Sequence, residues 1–123
     1  AEAMASIRRL KANRLHAATA ALLLADAERL LKVEEAKAEA RAVEAVGGEK
    51  NLGSNAEARK RALTLAVAED EDYRKALDLW RRTFLDHEAA KAEVEAERER
   101  LNVLKAALRW IGAGEVRDGA DLV

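Results

Sequence analysis

This 123-residue chain predicts an all-α fold: a long antiparallel helical hairpin, coiled-coil-like, with a short intervening helix. Three observations carry that expectation. The chain contains no proline, so nothing forces a long helix to break. Tyr73, Leu77, Trp80, Phe84, His87, Lys91, Val94, Arg98, Leu101, Lys105 and Leu108 follow one another in steps of four and three, the spacing of a helical seam. Such a helix would be roughly 60 Å long at about 1.5 Å per residue, too long to bury itself. Finally, Gly47-Gly48 interrupts a long run of good helix formers and offers two positions free to take positive φ.

Taken in order, the first helix spans about residues 5–46, with Leu30, Val33, Ala36, Ala40, Val43 and Val46 marking one face. A loop over 47–54 follows. Ser54 with Glu57 three residues on has the pattern of a capping box and opens a second helix over about 55–68. The carboxylates of Glu69-Asp70-Glu71-Asp72 are placed to cap a third helix over about 72–111 and to favour the positive end of its dipole. On that helix Asp70 with Arg74, Glu71 with Lys75 and Asp78 with Arg82 set acid before base at four-residue spacing. Residues 1–111 thus form one helical domain, and 112–123 a Gly-rich tail. In the simplest topology helices 1 and 3 are antiparallel and helix 2 is the corner; helix 2 stacked end to end on helix 3 through a kink at 70–72 is the alternative.

Half the chain is apolar, but 29 residues are alanine, so large core-forming side chains are few. A core that thin leaves stability partly dependent on association, and a homo-oligomer is expected. The seam also changes character, turning polar at His87, Lys91 and Arg98; either those residues fix register, or the packed face drifts onto Ala90 and Leu104. Trp80, Phe84, Leu101, Leu108 and Trp110 are the candidate oligomer-interface residues.

With 22 basic and 23 acidic residues the chain lacks the basic excess of a typical duplex-DNA binder, so any nucleic-acid contact must be local. The absence of cysteine excludes disulfides and thiolate metal sites. No apolar run is long enough to cross a bilayer, which predicts a protein of the cytoplasm without a membrane partner. Catalysis has little support: His16 and His87 are far apart, and His87-Glu88 lacks the second histidine of a zinc-binding helix because position 91 is lysine. No catalytic residue, metal or cofactor is expected.

Basic residues are concentrated in two places. Arg8, Arg9, Lys11 and Arg14 form a positive arm on helix 1, opposed in the first 25 residues only by Glu2. Arg59, Lys60 and Arg61 lie just inside helix 2, whose N-terminus presents free N–H groups. Both could hold phosphate, although a helical chain with 37% charged residues produces such clusters on solvated faces as well.

The ordered set Gly53-Ser54-Asn55-Ala56-Glu57-Ala58-Arg59, Ala62-Leu63, Asp70-Glu71-Asp72-Tyr73 and the long heptad helix resembles the phage-encoded recombination mediators of the UvsY-like family, over roughly residues 53–111. The resemblance implies a homo-oligomeric accessory protein that binds single-stranded DNA and helps load a RecA-like recombinase, in the host cytoplasm and without catalysis. It points to Gly53, Asn55 and Arg59 of the turn as binding residues; Lys60 and Arg61 join them on electrostatic grounds. The chain is poorer in aromatics than a binder that stacks bases, so phosphate contacts with little sequence preference are expected. The rival expectation is a structural or adaptor coiled coil that pairs helices and touches no nucleic acid.

Overall fold

A computed structural model describes the backbone of residues 1–121 and the side chains of residues 1–112. It is all-helical, with α1 (Glu2–Ala45), a 3-10 turn (Glu49–Leu52), α2 (Ala56–Glu69) and α3 (Glu71–Asp121). The chain divides into two compact units, one made of Ala1–Thr19 with the chain from His87 onward, the other of Ala20–Asp86.

Each helix end has a local cause. α1 stops as anticipated: Gly47 (φ 81°) and Gly48 (φ 139°) turn the chain, and their N–H groups donate to the carbonyls of Glu44 (3.1 Å) and Val43 (3.0 Å). Those two bonds satisfy carbonyls that would otherwise be left open at the helix end. The expected loop is tightened by the 3-10 turn, where the Asn51 side-chain amide donates to the Val46 carbonyl at 2.7 Å. The cap of α2 is Asn55 and not Ser54: its Oδ1 accepts from the Ala58 N–H at 2.8 Å, while Glu57 pairs with Arg61. Because the first helical residue is Ala56, Ser54 stands one position too early to cap.

Asp70 joins α2 to α3. Its N–H closes the end of α2 onto Val67, and its carboxylate opens α3 by accepting from the Tyr73 N–H at 2.9 Å. Arg41 of α1 grips the same carboxylate through Nε (3.0 Å) and Nη2 (2.9 Å). Arg74, expected to pair with Asp70, instead donates to the Ala68 carbonyl, and Asp78 pairs with Arg81 instead of Arg82; Glu71 and Lys75 pair as anticipated. α3 also runs on past residue 111, its backbone helical through Gly112 to Asp121, since glycine costs about 1 kcal/mol in a helix but does not block it as proline does. The last two residues of the anticipated tail lie outside the described residues.

The packed faces differ from those the large side chains suggested. In the first unit a row of buried and half-buried positions runs through Ala3, Ser6, Leu10, Asn13 and Ala17 on α1, with Ile7 beside it, and through His87, Ala90, Val94, Glu97, Leu101 and Leu104 on α3. In the second the row runs through Ala20, Leu24, Ala27, Leu31, Glu34 and Ala38 on α1, with Val43 also half-buried, and through Tyr73, Ala76, Trp80 and Thr83 on α3, with Leu77 beside it. Both rows advance in steps of three and four. On α3 the positions Tyr73, Trp80, His87, Val94 and Leu101 belong to the expected seam, but the companion row is Ala76, Thr83, Ala90, Glu97 and Leu104. Had the other row been packed, Lys91 and Arg98 would have entered the seam, and burying unpaired charge is costly.

The expected face of α1 is corrected for a similar reason. Leu30, Val33 and Val46 are exposed. Traced toward the N-terminus in steps of three and four, the row through Ala40, Ala36 and Val33 meets Arg29, Asp26 and Arg8. The row through Ala38, Glu34 and Leu31 continues without a lysine or arginine as far as Ala3. Only the second can stay packed along the helix.

Large buried side chains are scarce. Leu10, Val94 and Leu101 form a cluster in the first unit, with Ile7 and Ala17 against it. In the second unit Val67 of α2 is buried, and Trp80 stacks on Phe84 with ring centroids 5.4 Å apart. Gly53 approaches the start of α2 so closely that a Cβ there would lie 2.7 Å from the Ala58 Cβ and 2.9 Å from main-chain atoms of Ala58 and Arg59. Gly53→Ala is therefore expected to cost about 1–3 kcal/mol in urea unfolding, the usual penalty of overpacking. Unchanged stability would show that the turn can open without loss.

Candidate nucleic-acid interface

The acid-free part of α1 runs from Ala3 to Ala25, so its cations have no acidic neighbour on their own helix turn. Arg9 alone among them is engaged, its Nε 3.1 Å from Glu97 Oε1. Arg8, Lys11 and Arg14 are exposed and form no ion pair within 4.0 Å among the described residues. They recur every third residue, which sets them about 4.5 Å apart along the helix. On α3 Lys75, Arg81, Lys91, Arg98 and Arg100 each have an acid three or four residues away, whereas Arg82, Lys105 and Arg109 form no ion pair among the described residues.

Within the first unit Arg14 shares a surface groove with Lys91 and Arg98 of α3, over a floor of Ala17, Ala92 and Val94. Glu88 and Glu95 also line it, 2.8 Å from Lys91 and 2.9 Å from Arg98. Of the two expectations for the polar seam positions, the drift of the packed face onto Ala90 and Leu104 is the one seen: with Ala90 and Glu97 buried, Lys91 and Arg98 stand on the seam's flank, where a cation can reach solvent.

The second basic group lies in the other unit and is mostly occupied. Gly53 is packed against α2, Asn55 caps it, and Arg59 donates from Nε to the Gly53 carbonyl at 3.1 Å. Arg61 lies 3.5 Å from Glu57, and Lys60 is exposed. The turn Gly53-x-Asn55-x-x-x-Arg59 thus closes on itself: the glycine permits the approach, the asparagine satisfies a helix N–H, and the arginine ties the carbonyl down. No family model, no curated protein and no solved structure matches the chain. Geometry within each unit is what a functional argument rests on.

The five expected interface residues have different fates. Leu101 is buried inside its own unit and is not offered to a partner, Trp80 is half-buried against Phe84, and Phe84 is 39% exposed. Leu108 and Trp110 are open, Trp110 at 80%. No helix among the described residues is long and apolar enough to cross a membrane, and no group of three or more histidine, aspartate or glutamate side chains there could hold a metal.

Two carboxylates are held below their ordinary range. Glu97 is lowered chiefly by the hydrogen bond that the Ser6 hydroxyl donates, with Arg9 and Arg100 adding to it against the opposing effect of burial. Asp70 is lowered first by the Tyr73 N–H, then by Arg41, again against burial. A carboxylate with a depressed folded-state pKa binds its proton more readily when unfolded, so its contribution is present above the ordinary values of 3.8 and 4.5 and is lost as pH falls through the folded values. The melting temperature is expected to hold from pH 7 to 5 and to fall below about pH 4. In an Asp70→Asn, Glu97→Gln chain the decline should be shallower; an identical acid profile would remove these two groups as its cause.

Proposed function

We propose that the chain is a non-catalytic accessory protein of the recombination-mediator type, which holds single-stranded DNA by its phosphates. The observation that supports this best is the acid-free stretch of α1, with Arg8, Lys11 and Arg14 exposed and unpaired among the described residues, and Arg14 lining the groove it shares with Lys91 and Arg98. In a chain of net charge −1, cations left without local acids are the natural contacts for an anionic polymer. The helices form an antiparallel hairpin of coiled-coil type, and copies assemble so that several such faces act together. By the same resemblance, the DNA is passed to a RecA-like recombinase. The turn at Gly53, Asn55 and Arg59 supports this architecture instead of contacting DNA, leaving Lys60 as its available cation.

An adaptor function is the second reading. Its support is in the second unit, where Leu22, Leu23 and Leu85 are more than half exposed. Apolar side chains at that density invite a helix from another protein or another copy.

The test is fluorescence anisotropy of a labelled single-stranded oligonucleotide across a salt series, with mass followed by light scattering on the same sample. Binding that weakens steeply with salt is the expected result, since phosphate contacts release counterions. A folded protein that binds no oligonucleotide at low salt would discard the DNA-binding function and put the adaptor first.

A further inference from the structure

The buried polar group of the first unit serves neither proposed function. Ser6 is fully buried and Glu97 is 5% exposed, and they are the two buried polar side chains of a seam whose other buried positions in this unit are alanine, leucine and valine. The Ser6 hydroxyl donates to Glu97 Oε1 at 2.5 Å and Arg9 Nε donates to the same oxygen at 3.1 Å. Arg100 Nη1 reaches Oε2 at 3.2 Å. Every buried side-chain nitrogen and oxygen among the described residues has a hydrogen-bond partner.

We infer that Glu97 is the register-determining residue of the pairing between α1 and α3. Uncharged seam positions specify alignment less sharply than a buried charge, because sliding one helix by a heptad mostly exchanges one uncharged side chain for another. Glu97 makes the slide expensive. Moved one heptad along α1, its carboxylate meets Asn13 where Ser6 stood and His16 where Arg9 stood, exchanging a hydroxyl and a guanidinium for an amide and an imidazole. Arg100 travels with Glu97 and keeps Oε2, but Oε1 loses both its donors from α1. A buried carboxylate oxygen left without them is penalised, whereas the correctly paired group adds little net stability over an apolar side chain. Its value is in the difference between alignments, as with single polar residues in other helical seams.

The chain has no cysteine, so Ala12→Cys with Glu93→Cys, both at exposed positions, gives two clean sites for spin labels. Pulsed electron–electron distance measurement, with labelled protein diluted into unlabelled to suppress contacts between copies, should give one narrow distance in this background. Adding Glu97→Leu is expected to keep helicity and thermal stability while producing a second distance population, since a one-heptad slip displaces the helices by about 10 Å. Ser6→Ala, which keeps the carboxylate and Arg9, should broaden the distribution less. A single unchanged distance in the Glu97→Leu chain would overturn the inference. So would unfolding of that chain, because the carboxylate would then be supplying stability and not selecting among alignments.

Discussion

Leu101→Ala is expected to destabilise the chain by about 3 kcal/mol, within the usual cost of emptying a buried leucine site. Leu101 is 7% exposed and packs with Leu10 and Val94 in a unit whose other seam positions are largely alanine or polar. Few neighbours are large enough to move into the space, so the cavity should remain and the cost should fall in the upper part of the range. Against a typical total stability of about 5–15 kcal/mol, that loss should be plain in urea or thermal unfolding. Leu108→Ala is the contrasting case: Leu108 is 60% exposed and should change stability by no more than about 0.5 kcal/mol. If Leu108 serves assembly, its variant should lose mass by sedimentation while staying folded. Equal stability of the Leu101→Ala chain and its parent would mean that the leucine–valine cluster is not a core.

Replacing Arg8, Lys11 and Arg14 together with alanine should flatten the salt dependence of single-stranded DNA binding. Each phosphate contact on a single strand contributes about 0.7 to the slope of log affinity against log salt, so three lost contacts remove about 2. Between 50 and 200 mM salt a difference of that size is a factor of roughly 20 in how far affinity declines. The helix should survive, as alanine is the best helix former and none of the three forms an ion pair among the described residues. Lys60→Ala is the internal control and should change the slope by less than one contact's worth. A triple variant with the parental slope would place the DNA contacts elsewhere and remove α1 from the interface.

Much of the local structure was legible because it is governed by neighbours in sequence. Gly47-Gly48 ends α1 through main-chain freedom that needs no tertiary partner, and Asp70 caps α3 three residues ahead of Tyr73. The capping box at Ser54 was misplaced by one residue, because Ser54 and Asn55 can both cap and their order alone does not say which adjoins the first helical turn. The packed faces were harder. Leu30, Val33 and Phe84 are large but exposed, whereas the seam runs through Ala27, Ala38, Ala76 and Ala90. On α3 the polar seam positions already allowed a drift onto Ala90 and Leu104, and on both helices the packed row is the one that avoids lysine and arginine.

The candidate site was legible in part. The cations of α1 could be counted and their lack of acidic neighbours read directly. That Arg9 is drawn away by Glu97, and that Arg14 faces Lys91 and Arg98, are contacts between residues more than 70 positions apart. Nothing in local spacing distinguishes Glu97 from Glu93, Glu95 or Glu99, yet Glu97 alone of them is buried.

By itself the sequence determined that the chain is helical, that α1 ends at Gly47-Gly48 and α3 opens at Asp70, and that alanine would leave little large apolar surface to bury. Those properties follow from backbone freedom, capping and propensity, all set within a few residues. Tertiary structure decided which face of each helix is packed, which cations keep their charge free, and that one glutamate is enclosed by Ser6, Arg9 and Arg100. The physical reason is that an alanine-rich helix carries several faces of similar apolarity. Only the partner helix, by admitting small side chains and refusing unpaired charge, selects among them.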